Sequence, residues 1–168
     1  MQIVNPFTVN PPDVYQCFGC SPNNPIGLKL QFYVDGEDVC CRWNPSKQYE
    51  GYVNVLHGGI QATLLDEIAG WFINSQLGSA GVTKALNVNY LQPVYVTDES
   101  VLLKASLKER ADREAVIDAR LYNSAGKLCA AAEVVYFIFP EPIARKKYNY
   151  PGREAFFEPN NSLTDSLL

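Results

Sequence analysis

The chain has 168 residues, of which 47% are apolar and 19% charged, and a net charge of -4. That length suits one domain with a substantial core, and the acidic balance lacks the basic excess of a nucleic-acid binder. No run of about 18 apolar residues is free of polar groups, so no membrane span is expected.

Residues 1–27 form an irregular segment rich in Pro, Asn and Gly, a composition of turns. The opening "MQIVNPFTVNPP" lacks the basic and apolar regions of a signal peptide. Five cysteines stand at 17, 20, 40, 41 and 129. An odd number without an export signal leads us to expect reduced thiols and a cytoplasmic location. Cys17 and Cys20 form a Cys-x-x-Cys, but zinc needs two more ligands. Cys40 and Cys41 are adjacent on a predicted strand and point to opposite faces, so only one of them could join. No metal and no cofactor are expected.

The runs "LKLQFYV" and "VCCRWNP" flank an Asp-Gly turn signal and predict a hairpin. A loop from Ser46 to Leu56 follows. From Gly58 to Leu77 an apolar stretch predicts a long helix whose only charged residues are Asp66 and Glu67. At about 100° per residue, Ile60, Leu64, Ile68 and Trp71 share one side, with Leu65 and Phe72 beside them. Gly59, Ala62, Thr63, Asp66, Ala69, Gly70 and Ile73 gather opposite. So apolar a helix is expected to be buried on most sides, and its small face permits close approach of a second backbone.

After the turn "GSAG", four runs carry partial period-2 alternation: "VTKALNVNYLQPV", "ESVLLKASLKER", "REAVIDARLYN" and "KLCAAAEVVYFIF". The connections are short enough for antiparallel neighbours. The pattern is α+β, a curved antiparallel sheet wrapped on one long central helix. Its domain spans 28–139, and 140–168 reads as an extended tail docking through Phe156 and Phe157, with a mobile end.

The chemistry gathers at the helix. Gly58 and Gly59 leave the free N–H groups of a helix start open to approach, and the dipole there favours negative charge. Such donors suit an oxyanion, or else the glycines merely turn tightly. Asp66 is a carboxylate on a face of Gly and Ala, costly to desolvate unless it is used or partnered. It fits a general base or a nucleophile, or a buried cap of a neighbouring loop. Eight residues, about 12 Å of axis, separate Gly58 from Asp66. One helix therefore cannot supply both groups to one reacting carbonyl, and a symmetric pair with two composite sites is predicted. Glu67, about 100° around, is expected to pair with a backbone group or a base, or to line a pocket. His57 is read as packing to set the Gly-Gly turn, since no nucleophile elbow accompanies it.

Three motifs, "CFGCSPNNPIGLKL", "HGGIQATLLDE" and "NVNYLQPV", resemble in order and spacing the hotdog-fold thioesterases of the phenylacetate-degradation type. The second matches the His-Gly-Gly…Asp signature of the hotdog helix, and the third the Asn-x-x-Tyr-x-x-Pro strand. The resemblance covers roughly Cys17 to Phe139. It implies a homo-oligomer, a dimer or a dimer of dimers, hydrolysing an acyl-CoA thioester at sites shared between subunits. It gives Asp66 the place of the catalytic carboxylate, Gly58 and Gly59 that of the thioester-oxygen site, and His57 that of the residue orienting the turn. Thr83 falls near a hydroxyl that helps hold water. Asn87 and Tyr90 of the strand motif, with Glu67, are candidate substrate contacts, and Arg110 and Arg113 are candidates for the phosphates of CoA. Position 51 is Gly where relatives often carry Asn, with Asn54 a candidate substitute, and position 21 is Ser where this branch often has Gly. A non-catalytic acyl-ligand binding protein is the alternative, which the Gly at 51 favours and Asp66 opposes. A dehydratase is a third reading, opposed by a lone His that opens a Gly-Gly turn.

Overall fold

The computed structural model describes residues 1–157 apart from Asn10 and Pro12. Strands β1 (Phe32–Asp35) and β2 (Asp38–Trp43) form the hairpin, and α1 (Gly58–Ser75) is the long helix. Then come β3 (Gly81–Tyr90), β4 (Val101–Arg110), β5 (Glu114–Tyr122), β6 (Leu128–Ile138) and a short helix α2 (Glu141–Tyr148). All neighbours are antiparallel in one six-stranded sheet of order β1-β2-β4-β5-β6-β3. Leu28 and Leu30 are buried as the hairpin reading implies, but the strand begins only at Phe32, after a positive φ of 56° at Lys29.

Helix α1 packs on one face of the sheet. Strand alternation points Val101, Leu103 and Ala105 of β4, Ala115, Ile117 and Ala119 of β5, and Ala130, Ala132 and Val134 of β6 at it, all buried. From the helix, Leu64, Leu65, Ile68, Ala69, Phe72 and Ile73 meet them. The alanines keep the sheet side thin, so a bulky helix face fits against it. Ala69 and Ile73 of the helix's supposed small face are buried too, which narrows the accessible strip to Gly59, Ala62, Thr63, Asp66 and Gly70.

The two edges of the sheet differ. At β1 the chain start covers the edge: Gln2 bridges Tyr33, and Val34 N–H donates to the Met1 carbonyl at 2.7 Å. Strand β3 at the other edge pairs only with β6 among the described residues, and most of its ten residues are exposed.

Beyond β6 the expected extended tail is corrected. Glu141–Tyr148 is helical, with Pro in its first turn, Arg145 paired with Glu141 one turn back, and Asn149 in the left-handed region closing it. The tail docks through Phe156, fully buried against Trp71, Tyr150 and Phe7, and through half-buried Phe157, which also packs on the core. The expected mobile end lies outside the described residues. Among the described residues, no helix is long and apolar enough to cross a membrane.

Candidate active site

The loop before α1 fixes the helix start. Glu50 bridges Leu56, and Gly51 N–H donates to the Val55 carbonyl at 2.9 Å. Asn54 occupies the turn between them with φ 65°, a conformation asparagine tolerates better than most residues. Its N–H donates to Glu50 Oε1 at 3.0 Å and its carbonyl accepts from Val96 at 3.1 Å. Asn54 therefore serves the turn through its backbone, and no partner of its side-chain amide is found among the described residues.

His57 is the N-cap of α1, and its Nδ1 accepts the Gly59 N–H at 2.9 Å. The N–H groups of Ile60 and Gln61 bond back to the His57 carbonyl at 3.0 and 3.1 Å. The two glycines thus divide. Gly59 has spent its N–H on the histidine, and Gly58 N–H has no acceptor among the described residues. Tyr90 reaches across from β3 to donate its hydroxyl to the Gly58 carbonyl at 2.8 Å, which fixes that peptide. An open cleft of about 630 Å³ lies here, lined by Tyr52, His57, Gly58, Gln61, Tyr90 and Leu91 among others. The Gln61 Nε2 donates to the Leu56 carbonyl at 3.0 Å, while its buried Oε1 is without a partner among the described residues.

Two turns along the helix, Asp66 faces β3 and β6. Its Oδ1 accepts from Thr83 Oγ1 at 2.8 Å and from the Tyr136 hydroxyl at 3.2 Å. The same hydroxyl lies 3.0 Å from the Asp66 carbonyl. Burial, and then the Asp66 charge, push the Tyr136 phenol well above its usual range, so it stays a donor. No partner of Asp66 Oδ2 is found among the described residues. One oxygen is anchored and the other is free on the accessible strip.

Thr83 and Tyr90 are seven apart, an odd spacing that puts residues on opposite faces of a regular strand. Here both face α1, because a bulge between Thr83 and Ala85 shifts the pairing by one. The bulge brings the Asp66 partner and the Gly58 partner to one face.

The other candidates lie elsewhere. Asn87 pairs with exposed Glu133, whereas Leu86 and Val88 pair with buried Val134 and Ala132. Asn87 therefore lies on the sheet face away from Asp66. Arg110 sits in the row Thr83–Tyr136–Ala115–Arg110. Three strand spacings, about 14 Å, separate it from Thr83. Arg113 continues that turn, its carbonyl accepting from Ile138 N–H at 2.8 Å. Glu67 points away from the cleft into the chain's own N-terminal loop. Its partners are Trp71 Nε1 at 3.1 Å and the Cys17 thiol at 3.4 Å, in place of the backbone group, base or pocket expected. Burial, and then the Cys17 charge, push its carboxyl up to about 7.

Sequence reasoning missed Tyr136 and Gln61. Tyr136 carried a signal: on β6 it follows Ala130, Ala132 and Val134 on the inward face, where a buried hydroxyl needs a partner. Gln61 carried none beyond its polarity inside the apolar stretch.

Residues 53–130 match the family model described as Thioesterase superfamily. Acyl-coenzyme A thioesterase 13 of Mus musculus is 30% identical over 74 residues, 44% of this chain and 53% of that protein. The chain thus spans about half the length of this curated relative. A hypothetical thioesterase from Streptococcus pneumoniae TIGR4, solved with coenzyme A, has a TM-score of 0.62 at 24% identity, covering 67% of this chain and 87% of that one. The PaaI protein from the E. coli phenylacetic acid degradation operon gives 0.62 at 21% identity, covering 68% and 82%. The fold is a hotdog. Within this hotdog the family match takes in the helix start, Asp66 and Thr83. It stops short of Tyr136, and the Cys17–Cys20 loop precedes it.

Proposed function

We propose that the protein hydrolyses an acyl-CoA thioester at two sites, each built from two copies of the chain. The observation that carries this reading is Asp66, a carboxylate with one oxygen held by two hydroxyls and the other free, on an accessible strip of an otherwise buried helix. The free Gly58 N–H lies eight residues back, about 12 Å along the same axis. Edge strand β3, long and exposed, offers a row of free backbone groups to a second β3. A two-fold pairing there would set the Asp66 of one copy beside the Gly58 of the other.

The Gly58 N–H then receives the thioester oxygen as charge grows on it, aided by the helix dipole. Asp66 Oδ2 takes a proton from water as the water oxygen attacks the carbonyl carbon. The C–S bond breaks, and the thiolate leaves and takes up a proton. In the alternative, Oδ2 itself attacks, and water hydrolyses the resulting anhydride. In a single turnover in oxygen-18 water, label entering Asp66 indicates the anhydride. His57 acts as the cap that orders the turn. An imidazole accepting at Nδ1 carries its proton on Nε2. The acyl-CoA class is supported by the name of the mouse relative and by the coenzyme A in the streptococcal structure.

Thiol release is measured on short-chain, long-chain and aryl acyl-CoAs with wild type and Asp66→Asn side by side. Turnover on one class that falls by roughly 10²–10⁴-fold in the variant supports the reading. Undiminished turnover removes Asp66 from the mechanism. The second reading, a binding protein without turnover, draws on Gly51: a side chain there would lie 3.3 Å from His57, and the glycine leaves that wall without a polar group. No turnover, with a Tm raised by a CoA ester, would favour it.

A further inference from the structure

The Cys17–Cys20 turn meets Glu67 on the side of α1 away from the cleft. One ligand atom from each, two sulfurs and a carboxylate oxygen, lie within 4.8 Å of one another. Cys17 Sγ is 3.4 Å from Glu67 Oε1 and 3.7 Å from Oε2. Around a tetrahedral zinc with ordinary Zn–S and Zn–O lengths, a sulfur and an oxygen stand about 3.5 Å apart. That edge of the triangle already has the length of a metal site.

The surroundings hold these donors in place. Ser21 N–H closes the turn onto the Cys17 carbonyl at 3.1 Å. A Cβ at Gly19 would lie 2.4 Å from the Glu67 carboxyl carbon, so the loop backbone rests on the carboxylate and a side chain there would displace it. Trp71 Nε1 donates to Glu67 Oε1, the orienting bond typical around metal ligands. Stacking on Phe32 at 4.6 Å fixes that indole in turn. Without a cation the arrangement is poor. A carboxylate drawn into the protein is left with one indole and a weak thiol donor. Water arriving past half-buried Cys17 would complete four-coordination, with the Tyr15 hydroxyl at hydrogen-bond distance, 2.9 Å, from Cys20 Sγ.

We propose that Cys17, Cys20 and Glu67 bind a thiolate-favouring divalent metal ion, with zinc the best fit, that clamps the N-terminal loop to α1. Two sulfurs exclude magnesium and calcium as fitting occupants. Binding releases the thiol protons to solvent and transfers no electrons. The sequence offered Cys40 or Cys41 as the third donor; both are buried in β2, and the donor that completes the triangle is a carboxylate. The clamp ends one residue beyond Asp66, and its existence does not rest on the thioesterase reading.

The test is cobalt(II) titration of the full chain, stripped with a chelator and kept reduced with a phosphine. The expected result is one cobalt per chain, with visible bands of a tetrahedral ion and a near-ultraviolet sulfur-to-cobalt band, all displaced by zinc. Cys20→Ser removes the sulfur band or halves it, and Cys40→Ser leaves it intact. Glu67→Gln weakens binding by more than the roughly 10–100-fold that follows loss of an outer-shell partner. Should Cys20→Ser fail to fold, Cys17→Ser at the half-buried position takes its place. Absence of the sulfur band in reduced wild type overturns the proposal. So does a band unchanged in the Cys17 or Cys20 variant, or one lost with Cys40 instead.

Discussion

At the level of single residues, the site turns on which hydrogen bonds are already spent. Asp66 Oδ1 holds two hydroxyls, so each should matter less than the carboxylate itself. Thr83→Ala should lower kcat by about tenfold, the order expected from losing one hydrogen bond to a charged group, with KM little changed. A fall in kcat/KM carried by KM alone would place Thr83 in substrate binding instead. Tyr136 can be tested without touching it. A Cβ at position 70 would lie 3.1 Å from its hydroxyl, so Gly70→Ala should push that hydroxyl from Asp66 and lower kcat in a folded protein. Equal kcat in wild type and variant would make Tyr136 a core residue only. Asp66 and the helix start were legible in sequence because a carboxylate on small residues and a Gly-Gly start are local patterns, whereas Thr83 came only through the family resemblance. The partition of Gly58 from Gly59 was not, since it depends on which way the His57 ring turns. Nor was the contact of Glu67 with Cys17, fifty residues upstream in an irregular loop.

At the level of elements, the sequence read the helix and the antiparallel sheet well because both announce themselves by period. It failed where a strand breaks its period. Asn87 was grouped with Tyr90 by motif, yet three residues on a strand reverse the face. Thr83 and Tyr90 share a face only through the bulge, which period-2 counting cannot see. This makes the bulge testable. Lys84 is the residue left without a pairing partner in β3; its side chain forms an exposed ion pair with Glu114, a weak contributor to stability. Deleting Lys84 should regularise the strand: Thr83 and Tyr90 then stand six apart and keep to one face, with Thr83 still opposite Tyr136. The expected outcome is a folded protein whose kcat stays clearly above that of Thr83→Ala. A kcat as low as that of Thr83→Ala would mean that the bulged residue itself is needed to hold Thr83 on Asp66. α2 was missed for a different reason. Its proline-rich start reads as a breaker in isolation, but proline suits the first turn of a helix, and Phe156 further on anchors the tail to the core.

For the whole molecule, the question is whether one site really needs two copies. Sequence distance along a single helix raised it, and the open β3 edge gives it a physical route. Two variants, each lacking a different half, decide it. On the proposed mechanism, Asp66→Asn lacks the catalytic carboxylate. Gly58→Pro lacks the donor: proline has no N–H, yet it is well tolerated at the first helical position. His57 before it already has φ −57° and ψ 133°, the extended conformation a residue before proline prefers. Beside Tyr90 the new Cβ would sit at 3.5 Å, an ordinary contact. Alone, Gly58→Pro should lose about 10²–10³-fold in kcat, as for one oxyanion donor. Co-expressed in equal amounts, the two variants form mixed dimers half the time. Each mixed dimer has one site with both groups intact and one with neither, so activity should return to about a quarter of wild type. A mixture no more active than its two parts would mean that base and donor act within one chain, and the shared site would be wrong.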